Sequence, residues 1–337
     1  MFQDLLILAV GLIIILIAAE LFTNSIEYVG DKLNLSKNFT GSVLAAVGTA
    51  LPESILPVIA IIFFKDNAGE EIGIGAILGA PFMLATLALP LVGITALIGY
   101  LLKKRTIELN VDTEHLRKDM IFFLVSYAIA LLLVPYELKH SKMLADFTAI
   151  FLVFVYIAYV ILTLRSESEE MEDAHHLYLS FNKIKPNLPL GIFQLIFALV
   201  IMIVGAHLFV EGIEKLSHLI GLPPLVFSLL LAPVATELPE KINSVLWVMR
   251  GKDTLAIGNI SGAMVFQSTI PVSIGIFLTS WEIGDLGLIS GIFTILAGFI
   301  VVILSFFSRK LLTFGLLIGL IFYILYILLV LNKTGII

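Results

Sequence analysis

Cysteine is absent from this 337-residue sequence, and charged residues are scarce. Without cysteine the chain can form neither a disulfide nor a thiolate metal site. Charged residues make up 14% of the chain, whereas soluble domains contain about 25%. The net charge is −6 and no long basic block is present, which excludes nucleic-acid binding. The N-terminus also lacks the basic segment that opens a secretory signal.

Apolar residues take the place of the missing charges. They make up 59% of the chain, against about 45–50% in soluble proteins. Ten apolar runs approach the ~20 residues that a membrane-spanning helix needs. The predicted spans are residues 5–22, 40–64, 72–102, 120–135, 143–164, 189–210, 224–249, 255–279, 286–307 and 311–331. The sequence therefore predicts an all-α, polytopic membrane protein with ten transmembrane helices.

Basic residues are distributed unevenly between the two sets of loops. Loops after odd-numbered spans hold 14 lysines and arginines, against 5 in the other loops and the C-terminal tail. Because cytoplasmic loops carry the excess of basic residues, we expect both termini outside, with the plasma membrane as the location. The acidic connection 165–188 is then a cytoplasmic linker between two halves, residues 1–164 and 189–337.

The two halves repeat each other in sequence. At an offset of 187 residues, Val47–Glu53 aligns with Val234–Glu240, and both segments contain T-x-L-P-E. About fifteen of the forty-one positions from 19 to 59 are identical to their partners. At an offset of 183, Gly75–Ala80 aligns with Gly258–Ala263, and both read G-x-x-x-G-A, a pattern that permits close helix contact.

The number of helices in each half fixes their relative orientation. Five helices is an odd number, so the second half enters the membrane in the opposite sense to the first. The sequence thus predicts an inverted 5+5 repeat, an architecture of secondary transporters. Their substrate sites lie near the bilayer midplane, where corresponding broken helices meet.

Each T-x-L-P-E segment places a carboxylate near the middle of an apolar helix. Glu53 and Glu240 occupy these positions, and a charge there costs about 2.5–3.5 kcal/mol on insertion scales. The preceding proline frees the carbonyl four residues earlier, at Gly48 and Ala235. Carboxylates, freed carbonyls and the hydroxyls of the neighbouring threonines are all oxygen donors. Two such sets could supply the six to eight oxygens that Ca²⁺ takes.

The same segments resemble a known family. Gly48–Glu53 resembles the G-T-S-x-P-E signature of the Ca²⁺/cation antiporter superfamily, most closely its sodium/calcium exchangers, and Ala235–Glu240 is a looser copy. The two G-x-x-x-G-A segments are similar to the family's next-helix motif. This resemblance implies alternating-access exchange of Ca²⁺ for a monovalent cation, with Glu53 and Glu240 as central ligands.

Several positions depart from the family pattern. Where it has oxygen-bearing side chains suited to sodium, this chain has Ala50, Ala80, Ala263 and Leu84. The second half adds Glu237 and Lys241, spaced i and i+4 on one helix, an order that favours an ion pair. Alternatively, Lys241 acts as a tethered cation or Glu237 binds a proton. Sodium and H⁺ therefore both stay open as the counter-ion.

The sequence predicts the following site and function. The expected cation ligands are Glu53, Glu240, Thr49, Thr236, Glu237 and Gln267, and the further lining residues are Asn243, Asn259, Ser261, Gly48, Ala235 and Lys241. The alternatives are an H⁺-coupled exchanger, a carrier of Mg²⁺ or Mn²⁺, and a cation channel. The sequence contains no H-E-x-x-H segment of the kind found in zinc-dependent enzymes, so an enzyme is not expected. No resident cofactor is expected either. The expected partners are the transported cations and the lipid bilayer.

Overall fold

The computed structural model describes residues 2–33, 45–64, 67–163, 177–180 and 186–335. Within these ranges the chain is helical and contains no strand. The helices are α1 (Phe2–Lys32), α2 (Ala45–Phe63), α3 (Asn67–Leu101), α4 (Thr113–Leu138), α5 (Lys142–Thr163), α6 (Leu188–Ile220), α7 (Pro224–Met249), α8 (Asp253–Leu278), α9 (Gly284–Ser305) and α10 (Arg309–Lys333).

The helices have the lengths and surfaces of a membrane protein. Among the described residues, eight helices are long and apolar enough to cross a bilayer, and α2 and α7 contain the shorter apolar stretches Leu51–Phe63 and Pro224–Glu237. Large apolar side chains face outward, as on α5, where Phe147, Phe151 and Phe154 are all exposed. Such a surface suits lipid rather than water. The prediction of an all-helical integral membrane protein is therefore confirmed.

Several helices extend beyond their predicted ends. The runs 5–22 and 189–210 lie within α1 and α6, which each continue for about ten residues further. These additional turns contain polar residues, which end an apolar run but do not end a helix. The fourth predicted span begins at residue 120, whereas α4 begins at Thr113. Its start is fixed by Asp112, whose side chain accepts from the backbone N–H groups of Glu114 and His115.

Glycines permit two close helix pairs. In the α1–α6 pair, a Cβ on Gly11 would lie 2.6 Å from the backbone nitrogen of Phe209. In the α3–α7 pair, a Cβ on Gly75 or Gly79 would lie 2.2 Å from a carbonyl oxygen of α7. Ser228 Oγ of α7 also donates to the Ile72 carbonyl of α3 at 2.8 Å. Helices from the first part of the sequence therefore pack directly on helices from the second.

Candidate cation site

Helix α2 carries the first T-x-L-P-E segment. Pro52 and Pro57 both lie inside this helix. The Glu53 side chain is 8% exposed, and Leu56 and Ala60 on the following turns are also buried. Gly48 and Thr49 belong to the helical backbone of α2, but the Thr49 side chain lies outside the part that the structure describes. A carboxylate is thus buried in an otherwise apolar helix.

Helix α7 carries the second segment and a buried polar stripe. Glu237, Lys241 and Ser244 follow one another at i, i+4 and i+7, a spacing that puts them on one helix face. All three are at most 2% exposed. The neighbouring Thr236 hydroxyl donates to the Ala232 carbonyl one turn back, at 3.1 Å. Ala235 is half-buried, and Glu240 is part of the same helix, with a side chain outside the described part.

Helices α3 and α8 are both irregular at one equivalent place. The α-helical geometry of α3 gives way to a π-helical turn over Leu84–Ala88. In α8 the first helical segment ends at Gln267, and the second begins at Ile270. Leu84 and Gln267 are 183 residues apart, which is the offset that aligns these two helices. The sequence repeat is therefore accompanied by a repeated interruption of the helix.

Threonines occupy equivalent places within the two interruptions. Thr86 and Thr269 are fully buried. Each hydroxyl donates to the carbonyl four residues earlier, Thr86 to Phe82 and Thr269 to Val265. Where α8 breaks, Ser268 is buried beside Thr269 and donates to the Val265 carbonyl at 3.0 Å. These hydroxyls donate hydrogen bonds to backbone carbonyls beside the irregular turns. The carbonyls therefore keep hydrogen-bond partners inside the protein.

Polar contacts connect the stripe on α7 with α8. Gln267 Nε2 donates to Glu237 Oε1 at 3.1 Å, and Lys241 Nζ donates to Asn259 Oδ1 at 3.3 Å. The Gln267 Oε1 atom is buried and has no hydrogen-bond partner among the described residues. An amide oxygen that is available at a helix break is a suitable ligand for Ca²⁺ or Na⁺. Four of the residues singled out in the sequence thus lie close together.

Two other predicted lining residues have different surroundings. Ser261 Oγ donates to Asp119 Oδ2 of α4 at 2.5 Å, so this hydroxyl is engaged away from α7. Asn243, expected on the same side as Glu240, is exposed. The physical reason for Ser261 is the buried Asp119 carboxylate, since a carboxylate in this position requires hydrogen-bond donors.

Asp119 is a buried polar residue that the sequence patterns do not reveal. It is 0% exposed and also accepts from Tyr159 OH of α5 at 3.1 Å, so it joins α4, α5 and α8. The sequence predicts a loop at this position, because Asp119 directly precedes the predicted fourth span. The only available signal is its spacing i+4 from His115, whose Nε2 lies 3.7 Å from the carboxylate.

The buried charged and polar groups of α2, α7 and α8 determine which ligands these helices can bind. Helix α2 supplies the buried Glu53 carboxylate, helix α7 supplies the Glu237 carboxylate and the Lys241 ammonium group, and helix α8 supplies the Gln267 amide. Within the described ranges, no group of three or more Asp, Glu or His side chains is placed to hold a metal ion. Buried acidic groups in membrane-protein helices, beside a neighbouring helix that is interrupted, are typical of sites that bind cations reversibly.

Comparison with known proteins gives consistent results. Residues 4–165 and 190–335 match the family model described as sodium/calcium exchanger protein. The inner membrane protein YrbG of Escherichia coli (strain K12) is 24% identical over 285 residues, covering 83% of this chain and 81% of the relative.

Solved structures share the fold. The crystal structure of the H⁺/Ca²⁺ exchanger CAX gives a TM-score of 0.71 at 19% identity, covering 98% of this chain and 88% of the other. A structure of the sodium-calcium exchanger NCX_Mj gives 0.57 at 20% identity, covering 97% and 98%. Because the family model spans most of the sequence, this chain belongs to the sodium/calcium exchanger protein family, within the Ca²⁺/cation antiporter superfamily that its repeated segments resemble.

Proposed function

We propose that this protein is a secondary active antiporter that exchanges Ca²⁺ for a monovalent cation by alternating access. In this proposal α1–α10 all cross the membrane and form two inverted five-helix halves, residues 1–164 and 189–337. The acidic linker 165–188 lies in the cytoplasm, and both termini lie outside the plasma membrane.

The observation that carries this proposal is the duplicated T-x-L-P-E segment with buried carboxylates. Glu53 is 8% exposed and Glu237 is 2% exposed, on helices of a protein whose surface faces lipid. Ionisable groups at this depth are costly and mark ion pathways in membrane proteins. The irregular turns at equivalent places in α3 and α8 add support, because discontinuous helices in corresponding positions form the sites of inverted-repeat transporters.

The proposed Ca²⁺ ligands come from both halves. Glu53 and Glu240 provide the central carboxylates, and Thr49, Thr236, Glu237 and Gln267 provide further oxygens. The carbonyls of Gly48 and Ala235, freed by the prolines, complete the set. Oxygen-only coordination with two or three carboxylates suits a hard divalent cation. The contact between Gln267 and Glu237 supports this assignment.

The counter-ion is either Na⁺ or H⁺. Family members whose structures resemble this one include both an H⁺/Ca²⁺ and a sodium-calcium exchanger. Proton coupling is the second candidate because Ala80 and Leu84, at positions where the family has oxygens, are buried apolar residues in α3. Methyl groups cannot coordinate sodium, so fewer neutral oxygens remain for it in the first half.

Ca²⁺ uptake into proteoliposomes under separate Na⁺, H⁺ and zero gradients tests the proposal. We expect uptake driven by one of the two gradients and at least about ten-fold slower uptake without a gradient. Competition by Mg²⁺ and Mn²⁺ then identifies the preferred divalent ion. Rapid uptake that needs no counter-ion would instead indicate a channel. No uptake under any gradient would contradict the proposal.

Replacing Gln267 by leucine tests the contribution of the second half. Gln267→Leu gives this position the residue that its repeat partner Leu84 already has. The change removes both the donor to Glu237 and a buried amide oxygen. We expect the concentration of Ca²⁺ for half-maximal uptake to rise by roughly ten-fold, about 1.4 kcal/mol. Gln267→Asn, which keeps both the amide nitrogen and the amide oxygen, is the control and should lose less affinity than Gln267→Leu.

A further inference from the structure

Two carboxylates occupy equivalent positions outside the proposed cation site. Glu70 lies in the first turn of α3, and Asp253 lies in the first turn of α8. They are 183 residues apart, the same offset that aligns the two helices. A carboxylate in the first turn is favoured by the N-terminal end of the helix dipole. Each also makes contacts that reach the opposite half.

Asp253 joins the start of α8 to the end of α3. Arg105, in the loop after α3, donates from Nη1 to Oδ1 at 2.7 Å and from Nη2 to Oδ2 at 2.6 Å. The backbone N–H of Asn110 donates to Oδ2 at 2.7 Å. The carboxylate is 2% exposed. Such a two-pronged arginine–carboxylate contact is among the strongest polar interactions in proteins.

The same arginine also reaches the end of α7. Arg105 Nη1 donates to the Val248 carbonyl at 2.5 Å, and Nη2 donates to the Glu108 carbonyl of its own loop at 3.3 Å. Leu109 and Val111 of this loop are buried. One guanidinium group therefore holds the loop after α3 against both α7 and α8.

Glu70 makes the corresponding connection at the other end of the pair. Its Oε1 atom accepts from both the backbone N–H and the hydroxyl of Ser280, each at 2.6 Å. Ser280 follows the end of α8, so this contact joins the start of α3 to the end of α8. The adjacent Trp281 is buried, and its Nε1 donates to the Ala130 carbonyl of α4 at 3.0 Å.

The backbone repeats the arrangement as well. Among the described residues, Lys103 and Trp281 are the two non-glycine residues at positive φ, 56° and 53°. Each lies in the loop that supplies the donors to one of these carboxylates. Non-glycine residues persist in this conformation when the surrounding contacts hold them there. Both loops are thus fixed in unusual conformations beside equivalent carboxylates.

We propose that Glu70 and Asp253 are positioning residues that clamp α3 to α8 at both ends, and that these clamps stay closed during transport. The Asp253 clamp is an ion pair, and the Glu70 clamp uses neutral donors. Together they keep the irregular segments of α3 and α8 in place against α2 and α7, so that Gln267 meets Glu237. The readout by Ca²⁺ uptake rests on the proposed function.

The absence of cysteine from the chain permits a direct test of the Asp253 clamp. Combining Arg105→Cys with Asp253→Cys removes both partners, and a reducible bis-methanethiosulfonate reagent then links the two thiols. We expect the unlinked variant to need at least five-fold more Ca²⁺ for half-maximal uptake at a nearly unchanged maximal rate. Linking should restore the affinity, and reductant should remove that gain. Glu108→Gln, an exposed change on the same loop, is the control.

Two results would overturn the clamp. Unchanged Ca²⁺ affinity in the unlinked variant would leave Arg105 and Asp253 with a purely structural role. Uptake that stops on linking and resumes on reduction would show a contact that opens during transport.

A second measurement is independent of transport. Spin labels on Lys104→Cys and Lys252→Cys should give one narrow distance distribution with and without Ca²⁺, and Arg105→Met should broaden it. A distribution that Arg105→Met leaves narrow also contradicts the clamp, even if the protein carries no Ca²⁺.

Discussion

Replacing Glu53 by glutamine is expected to abolish Ca²⁺ exchange while leaving the protein folded. Glutamine has nearly the same shape but no charge, and Ca²⁺ binding depends on carboxylates. We expect uptake to fall by at least about 100-fold, which corresponds to about 2.7 kcal/mol. Glu240→Gln, at the equivalent position of the second half, should have the same effect. Both variants are measured by Ca²⁺ uptake into proteoliposomes at matched protein content.

Stability separates a binding role for Glu53 from a structural one. Burying a neutral amide in an apolar helix costs less than burying a carboxylate. The thermal midpoint of Glu53→Gln in detergent is therefore expected to be unchanged or higher. Glu282→Gln, at an exposed carboxylate after α8, is the control and should alter neither uptake nor melting. Undiminished uptake in Glu53→Gln would remove this residue from the site.

The helical membrane fold could be predicted because the bilayer restricts the chain strongly. A lipid-exposed backbone has to satisfy its hydrogen bonds internally, so long apolar runs become helices. The predicted run 224–249 agrees with α7 at both ends. The ends of α1 and α6 could not be predicted in this way. Beyond their predicted ends, α1 and α6 contain polar residues such as Ser25 and Ser217, which are buried inside the protein.

The helix interruptions left only a weak signal in the sequence. Pro90 and Pro271 each lie near the start of the helical segment that follows an interruption. A proline in a membrane helix is nevertheless often tolerated without a break, because neighbouring groups satisfy the freed carbonyl. Pro81, for example, lies within a continuous part of α3. Proline positions alone therefore do not distinguish a kink from an interruption.

Contacts between distant parts of the chain were the least predictable. The repeat identified Glu237 and Gln267 independently, and the structure brings them together at 3.1 Å. Ser261 was placed beside the cation site by its motif, but its partner Asp119 lies 142 residues away in sequence. Which face of a helix meets which neighbour depends on tertiary packing, and a single sequence contains no measure of that packing.

Replacing Gly79 by alanine is expected to destabilise the protein. A Cβ at Gly79 would lie 2.2 Å from the Leu229 carbonyl oxygen, 2.8 Å from Pro233 Cγ and 2.9 Å from the Leu229 carbonyl carbon. Two of these atoms belong to the backbone of α7, so relief requires the helices to separate. Overpacking of this kind costs roughly 1–3 kcal/mol. We expect a lower thermal midpoint in detergent and a lower yield of folded protein.

The repeat supplies a matched control at the equivalent glycine. A Cβ at Gly262 would meet only the Tyr159 hydroxyl among the described residues, at 3.5 Å, which is an ordinary contact. Gly262→Ala should melt near the unmodified protein, or slightly above it, since alanine favours the helix by up to about 1 kcal/mol over glycine. Equal melting of the two variants would mean that α3 does not approach α7 this closely. The packing of α7 against α3, which places Glu237 in the protein interior, would then need revision.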